Sequence, residues 1–236
     1  GADILEMDLF QSADGEIFVF HTGMEPSHLD HHIKIETYTA AEIKQMRLCN
    51  CDLIETFLPV NTFDEVLEHL KGKCKMNLDR SIGIIEPVMK MVRRHGMEDQ
   101  ILMKSDPSEQ SLKLIEAYAP DIDYMPIFME EDHASEKIEK MKIHYAGAEL
   151  VFKTEQSPIV QEAYLEEQKK KGRVLWGNAI LYSSRVPLAG GHSDDISLLE
   201  DPAQGWGWLA QKGFDIIQTD WAMHCVNYLR ENNYRK

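Results

Sequence analysis

The sequence has few cysteines, no long hydrophobic run and no excess of positive charge. Only four of its 236 residues are cysteine, which excludes a disulfide scaffold in a chain of this size. Cys49 and Cys51 have no partner pair at zinc-finger spacing, so we expect free thiols in a cytoplasmic protein. No apolar run approaches the ~18 residues that a transmembrane helix needs. Stable membrane insertion is therefore not expected.

The charge is strongly negative. Forty acidic residues against 25 basic ones give a net charge of −15, which would repel a phosphate backbone or an anionic membrane surface. Nucleic acid is therefore excluded as an expected partner. The sequence also has no Gly-rich dinucleotide or P-loop motif and no G-x-S-x-G nucleophile motif. Because the sequence begins abruptly with GAD, an exported, processed form is the alternative to the cytoplasm.

Two acidic residues interrupt the first apolar segment. Residues 4–10 read as a β-strand, and side chains alternate between the two faces of a strand, so Glu6 and Asp8 share one face. A Glu-x-Asp pair by itself is more often a solvated strand face. Here the neighbouring residues Met7 and Leu9 favour burial on both faces, where two carboxylates repel unless a cation or protons neutralise them.

A histidine follows the next predicted strand. Asp14-Gly15 is a strong turn signal, and residues 17–20 form a second apolar strand that ends at His21. The carboxylates and this imidazole therefore converge at the ends of two adjacent strands. A site for an oxygen-ligated divalent cation beside a general acid or base requires these groups.

The pattern GAD-x-x-E-x-D…DG-x-x-x-V-x-H resembles the metal-binding region of the glycerophosphodiester phosphodiesterase family. The resemblance implies that Glu6 and Asp8 bind a divalent cation, Mg²⁺ or Ca²⁺, and that His21 is a catalytic acid or base. It also implies a small-molecule glycerophosphodiester as the substrate. One departure is Thr22, which stands where the family has an Asp.

Further segments are similar to the same family. The segment LPVNTFDEVL at residues 58–67 and the segment GFDIIQTD at residues 213–220 match two of its motifs. The predicted strand 75–79 ends in Asp79, where the family has its third metal-binding acid, usually Glu. Ser81 stands where the family has a Lys.

We predict that Lys104, near the end of the strand 100–105, replaces this lysine and faces the phosphate; the alternative is a lysine whose ammonium reaches solvent from a strand end. The segment RVLWGN resembles another strand of the family. Trp176 and Trp221 would then wall a glycerol or head-group pocket, with ordinary barrel packing as the alternative.

The predicted elements alternate between strand and helix along the whole chain. Strands are predicted at residues 4–10, 17–20, 75–79, 100–105, 123–128, 149–153, 173–180 and 214–220. Helices are predicted after Thr39 and after Asn61 or Thr62, and at residues 84–95, 109–118, 134–146, 159–171, 202–212 and 221–232, with a loop at 183–201. About eight strands favour a single (β/α)8 TIM barrel over residues 1–236, with a small insertion around 22–60.

In the resembled family a strand that ends in His-Arg-Gly precedes the GAD motif, and this strand is not in the sequence. We expect either that the sequence begins downstream of it or that the site has decayed to a phosphodiester-binding barrel. A sphingomyelinase D-like phospholipase is a further alternative, since it shares the barrel and the acidic triad, with Asp as the third acid. Its cysteine-linked loop is not evident after His21.

Overall fold

A computed structural model describes residues 1–181 and 186–235, so part of the predicted loop at 183–201 lies outside the described residues. Contacts divide the chain into two compact units. The N-terminal unit comprises Ile4–Met103 and Ala117–Ile122, and the C-terminal unit comprises Gly1–Asp3, Lys104–Glu116 and Asp123–Lys236. No described helix has the length and apolar character needed to cross a membrane.

Strands and helices alternate between residues 63 and 178, as the sequence predicts, whereas the strands at residues 47–49 and 55–59 are not among the predicted elements. The strands are β1 (Ile4–Gln11), β2 (Ile17–Val19), β3 (Arg47–Cys49), β4 (Glu55–Pro59), β5 (Lys75–Asp79), β6 (Ile101–Ser105), β7 (Asp123–Met129), β8 (Gly147–Val151), β9 (Val174–Asn178) and β10 (Ile216–Gln218). The helices are α1 (Glu25–His28), α2 (Ala40–Ile43), α3 (Phe63–Leu70), α4 (Ile85–His95), α5 (Glu109–Tyr118), α6 (Ser135–Ile138), α7 (Glu162–Lys170), α8 (Asp194–Leu199), α9 (Trp206–Lys212) and α10 (Ala222–Glu231).

In the N-terminal unit, β1 lies between β2 and β5. It pairs with β2 in antiparallel orientation and with β5 in parallel orientation, and β5 pairs with β6. Burial of β1 on both faces, which the sequence favours, is wrong for its first half, because Leu5 is 38% exposed and Glu6 is exposed. The pairing of β1 with β2 begins only at Leu9, so the preceding residues have β5 as their strand neighbour among those described.

The segment between β2 and β5 carries the predicted insertion. Its side chains form a buried cluster with the ends of the first two strands, comprising Phe10, Phe18, Phe20, Leu29, Ile35, Ile43 and Val60. Thr39 is the N-cap of α2 in a capping box with Glu42, as the sequence predicts. Of the two predicted caps of α3, Thr62 is the one observed, and it forms a second capping box with Glu65. The two caps therefore fix where these helices begin, and α3 ends shortly before β5.

In the C-terminal unit, β7, β8, β9 and β10 form consecutive parallel pairs. Gly147 lies opposite Val174, and a Cβ at this glycine would lie 2.0 Å from the Val174 carbonyl oxygen. Only glycine allows the two backbones to approach so closely at the start of β8. This fixes the register that brings Glu149 opposite Trp176.

Two predicted elements are corrected. The helix predicted at 134–146 is wrong beyond Ile138, because the following chain is drawn into pairing with Tyr124, whose carbonyl accepts from the Ala146 amide. The loop predicted at 183–201 contains α8, which Ser193 begins as an N-cap by accepting a hydrogen bond from the Ile196 amide. Three consecutive residues at the start of this helix, Ser193 to Asp195, are Ser or Asp, which are common in helix caps as well as in loops.

Candidate active site

Three predicted acidic residues come together at the end of the N-terminal unit's sheet. Glu6 and Asp8 lie on the same face of β1, and Asp79 lies opposite Asp8 in the register of the parallel β1–β5 pair. Each of the three carboxylates offers an oxygen, and these oxygens all lie within 4.8 Å of one another. Three like charges at this separation repel, so the arrangement favours a bound cation.

The donor set and the adjacent Asn77 fit a hard divalent ion. Mg²⁺ and Ca²⁺ prefer oxygen ligands, and Mg²⁺ keeps several water molecules when it binds to proteins. Asn77 pairs with Glu6 across the strands and lies two residues before Asp79, on the same face. It is fully buried, and neither atom of its amide group has a hydrogen-bond partner among the described residues. Such a group is suited to bind water that an ion retains.

His21 lies two residues after the end of β2, in the same unit as the carboxylates. Its Nε2 atom is 3.0 Å from Nη2 of Arg80, and its Nδ1 atom is buried without a partner among the described residues. Because a guanidinium group only donates hydrogen bonds, Nε2 accepts here and the ring proton lies on Nδ1. In this contact the Nε2 lone pair is directed at Arg80.

Arg80 is a site residue that the sequence analysis missed. Its Nε atom is 3.3 Å from Oδ1 of Asp8, and its Nη1 atom is 3.3 Å from the carbonyl oxygen of Thr22. Its backbone amide donates to Oδ1 of Asp79 at 2.6 Å, and its φ of 51° lies in the left-handed region. The available signal was a basic residue immediately after the third acid, whereas the family comparison directed attention to Ser81, which is buried.

Lys104 lies in the C-terminal unit and is only 2% exposed. Its Nζ atom is 2.6 Å from Oε2 of Glu149 and 3.2 Å from Oε1 of Gln218, and it lies 4.1 Å from the ring centroid of Trp176. Burial excludes the alternative in which its ammonium group reaches solvent. The positive charge of Lys104 is instead balanced by the Glu149 carboxylate inside a buried polar network. We call it the Lys104 network, and it comprises Lys104, Glu149, Trp176, Asn178 and Gln218.

The two predicted tryptophans differ in exposure. Trp176 is buried, and its Nε1 atom donates to Oε1 of Gln218 at 3.0 Å, so it belongs to the Lys104 network. Trp221 is 48% exposed at the N-terminus of α10. The chain just before it is fixed by Asp194, which accepts hydrogen bonds from Thr219 and from the Asp220 amide. Burial raises the pKa of Asp194.

Among the comparisons with known proteins, the solved structures bear on the fold. A family model for a domain of unknown function, DUF4996, matches residues 124–229, and no curated protein matches the sequence. A glycerophosphoryl diester phosphodiesterase from Parabacteroides distasonis superposes with a TM-score of 0.79 at 18% identity, covering 97% of this chain and 76% of that chain. The glycerophosphodiester phosphodiesterase from Agrobacterium tumefaciens gives a TM-score of 0.66 at 19% identity, covering 96% and 87%.

A phosphodiesterase from Oleispira antarctica, solved in complex with the product sn-glycerol-3-phosphate, also superposes on the chain. Its TM-score is 0.66 at 18% identity, covering 98% of this chain and 86% of that chain. At these identities the likeness shows the fold, and it extends over nearly the whole chain. The chain therefore has the (β/α)8 barrel fold of the glycerophosphodiester phosphodiesterases, as the motifs around Glu6, Asp8 and Asp79 predict.

Proposed function

We propose that the protein is a metal-dependent phosphodiesterase that hydrolyses glycerophosphodiesters to an alcohol and sn-glycerol 3-phosphate. The observation that carries the proposal is the cluster of three carboxylates whose oxygens lie within 4.8 Å of one another. His21 supports it, because the Arg80 guanidinium that contacts Asp8 also contacts this imidazole. The fold shared with phosphodiesterases makes the substrate class the natural expectation.

Glu6, Asp8 and Asp79 would hold the ion, Mg²⁺ or Ca²⁺, which when bound polarises the phosphoryl oxygens and offsets their charge. Nε2 of His21 would take a proton from the attacking water or return one to the leaving alkoxide, since an atom that accepts from the Arg80 guanidinium carries a lone pair. Asn77 would orient water within the site through its unpartnered amide group.

The phosphate-facing role predicted for Lys104 is not part of this proposal. Its ammonium group is bound to Glu149 and Gln218 inside the C-terminal unit, and releasing it would leave the Glu149 charge buried without its partner. Trp176 is held in the same network, whereas the exposed Trp221 has the accessible ring that a wall of a head-group pocket requires.

A second candidate function is phosphodiester binding without turnover. The observation that favours it is the contact between Arg80 and both Asp8 and His21, because this contact engages a metal ligand and the proton acceptor together. Turnover requires that the contact of Arg80 with Asp8 and His21 be broken. Binding of a phosphodiester without turnover does not require this.

The test is hydrolysis of glycerophosphocholine, followed through the release of glycerol 3-phosphate. We expect turnover that EDTA abolishes and Mg²⁺ or Ca²⁺ restores, and a loss of about 10²- to 10⁴-fold in His21→Ala, as for removal of a general acid or base. His28→Ala is the matched control, because this histidine is exposed in the following helix. Turnover that withstands both EDTA and His21→Ala would overturn the proposal, and binding without turnover would favour the second candidate.

A further inference from the structure

The Arg80 side chain holds two groups that the proposed function needs to be free. Its Nε atom contacts Asp8, and its Nη2 atom contacts the Nε2 atom of His21. While these contacts last, the Nε2 lone pair is engaged and cannot take a proton. A divalent ion that binds Asp8 would also repel the guanidinium, because both are positively charged.

The Arg80 side chain is able to move while the Arg80 backbone stays in place. The side chain is 46% exposed, so it can leave Asp8 without losing a packed position. The Arg80 backbone amide is bound separately to Asp79. Withdrawal of the guanidinium from Asp8 therefore leaves the charge within one side-chain length of the three carboxylates.

Charge balance indicates what the withdrawn guanidinium binds. Three carboxylates exceed a divalent ion by one negative charge, so the ion-loaded cluster alone would still repel a phosphodiester anion. The Arg80 guanidinium lies against Asp8 and carries a positive charge of the size that would offset it. Its planar fork of N–H donors also matches the oxygens of a phosphate group, which a guanidinium binds through two parallel hydrogen bonds.

We propose that Arg80 is the phosphate-binding residue of this site, and that in the ion-free protein its guanidinium rests on Asp8 and His21 instead. The inference rests on the proposed function. It makes Arg80 a residue that selects anionic phosphodiesters and that competes with the metal ion for Asp8. It also predicts that an Arg80 substitution strengthens the binding of the metal ion and weakens the binding of the phosphate ligand. An arginine that only balanced the charge of the folded protein would not give these opposite effects.

The experiment measures Mg²⁺ binding by calorimetry, and then the binding of sn-glycerol 3-phosphate to the Mg²⁺-loaded protein. For Arg80→Gln we expect Mg²⁺ to bind about 3- to 10-fold more tightly, because the competing charge is gone. We expect sn-glycerol 3-phosphate to bind about 10- to 100-fold more weakly, as for the loss of charged hydrogen bonds. Arg80→Lys keeps the charge without the fork and should bind sn-glycerol 3-phosphate with intermediate affinity.

Arg93→Gln is the matched control. Arg93 is in the same unit and its side chain is 40% exposed, and it pairs with Asp121 and the Tyr118 carbonyl; both affinities should equal those of the wild type. Unchanged sn-glycerol 3-phosphate affinity in Arg80→Gln would overturn the inference, and so would weaker Mg²⁺ binding. The proposed function fails separately, if the wild type binds no Mg²⁺ or if Asp79→Asn leaves Mg²⁺ binding unchanged.

Discussion

The carboxylate cluster and the Lys104 network use the same kinds of side chain in opposite ways. In the Lys104 network the charges are balanced and buried, since the Lys104 ammonium meets the Glu149 carboxylate and Gln218 accepts from Lys104, Trp176 and Asn178. In the carboxylate cluster, three acidic groups lie close together, and the partly exposed Arg80 contacts one of them, Asp8. A balanced buried network stabilises one structure, whereas an unbalanced, accessible cluster favours a ligand of the missing charge.

The largest expected effect breaks the balanced network. Lys104→Met leaves the Glu149 carboxylate buried without its cation, which should lower the free energy of unfolding by about 3–5 kcal/mol. Urea denaturation measures this change. The double variant Lys104→Met/Glu149→Leu should recover most of the lost stability, because no charge is then left buried.

Lys113→Met is the control for that measurement. Lys113 forms an exposed pair with Glu109 one helical turn away, and such pairs contribute little to stability, so no measurable change is expected. If Lys104→Met denatures at the same urea concentration as the wild type, the view that this network stabilises the fold is wrong.

A smaller effect separates stability from ion binding in the N-terminal unit. Thr62→Ala removes the side-chain oxygen that accepts from the Glu65 amide at the start of α3, which should lower the free energy of unfolding by about 1 kcal/mol. The carboxylates are untouched, so the Mg²⁺ affinity should not change. If Thr62→Ala also bound Mg²⁺ more weakly, Mg²⁺ affinity would depend on the stability of the fold rather than on the three carboxylates alone.

The sequence predicted the strands that carry the acids because their apolar patterns and end signals are local. Asp79 ends β5 at the predicted residue, and Thr62, one of the two predicted caps, begins the preceding helix. The partners of Lys104 could not be predicted in the same way. Glu149 and Gln218 are 45 and 114 residues away along the chain, so only the register of several parallel strands brings them together.

Arg80 was missed for a different reason. The phosphodiesterase motif that Asp79 matches has a lysine two residues after its acid, at the position of Ser81. In this chain the cation, Arg80, comes one residue after the acid. The left-handed backbone of Arg80 redirects the chain at the end of β5, and this turns the side chain back to Asp8 and His21. A non-glycine residue with such a φ is not evident from local sequence patterns.

The most direct test of the central claim is calorimetric titration of Mg²⁺ into the wild type and Asp79→Asn. The wild type should bind one ion, and Asp79→Asn should bind it at least about tenfold more weakly, because one anionic ligand is lost. In the absence of the ion the variant should be as stable as the wild type or more stable, since repulsion within the cluster is relieved. The control Asp121→Asn, which alters a surface pair with Arg93, should bind like the wild type. Equal Mg²⁺ affinity in the wild type and Asp79→Asn would contradict the account.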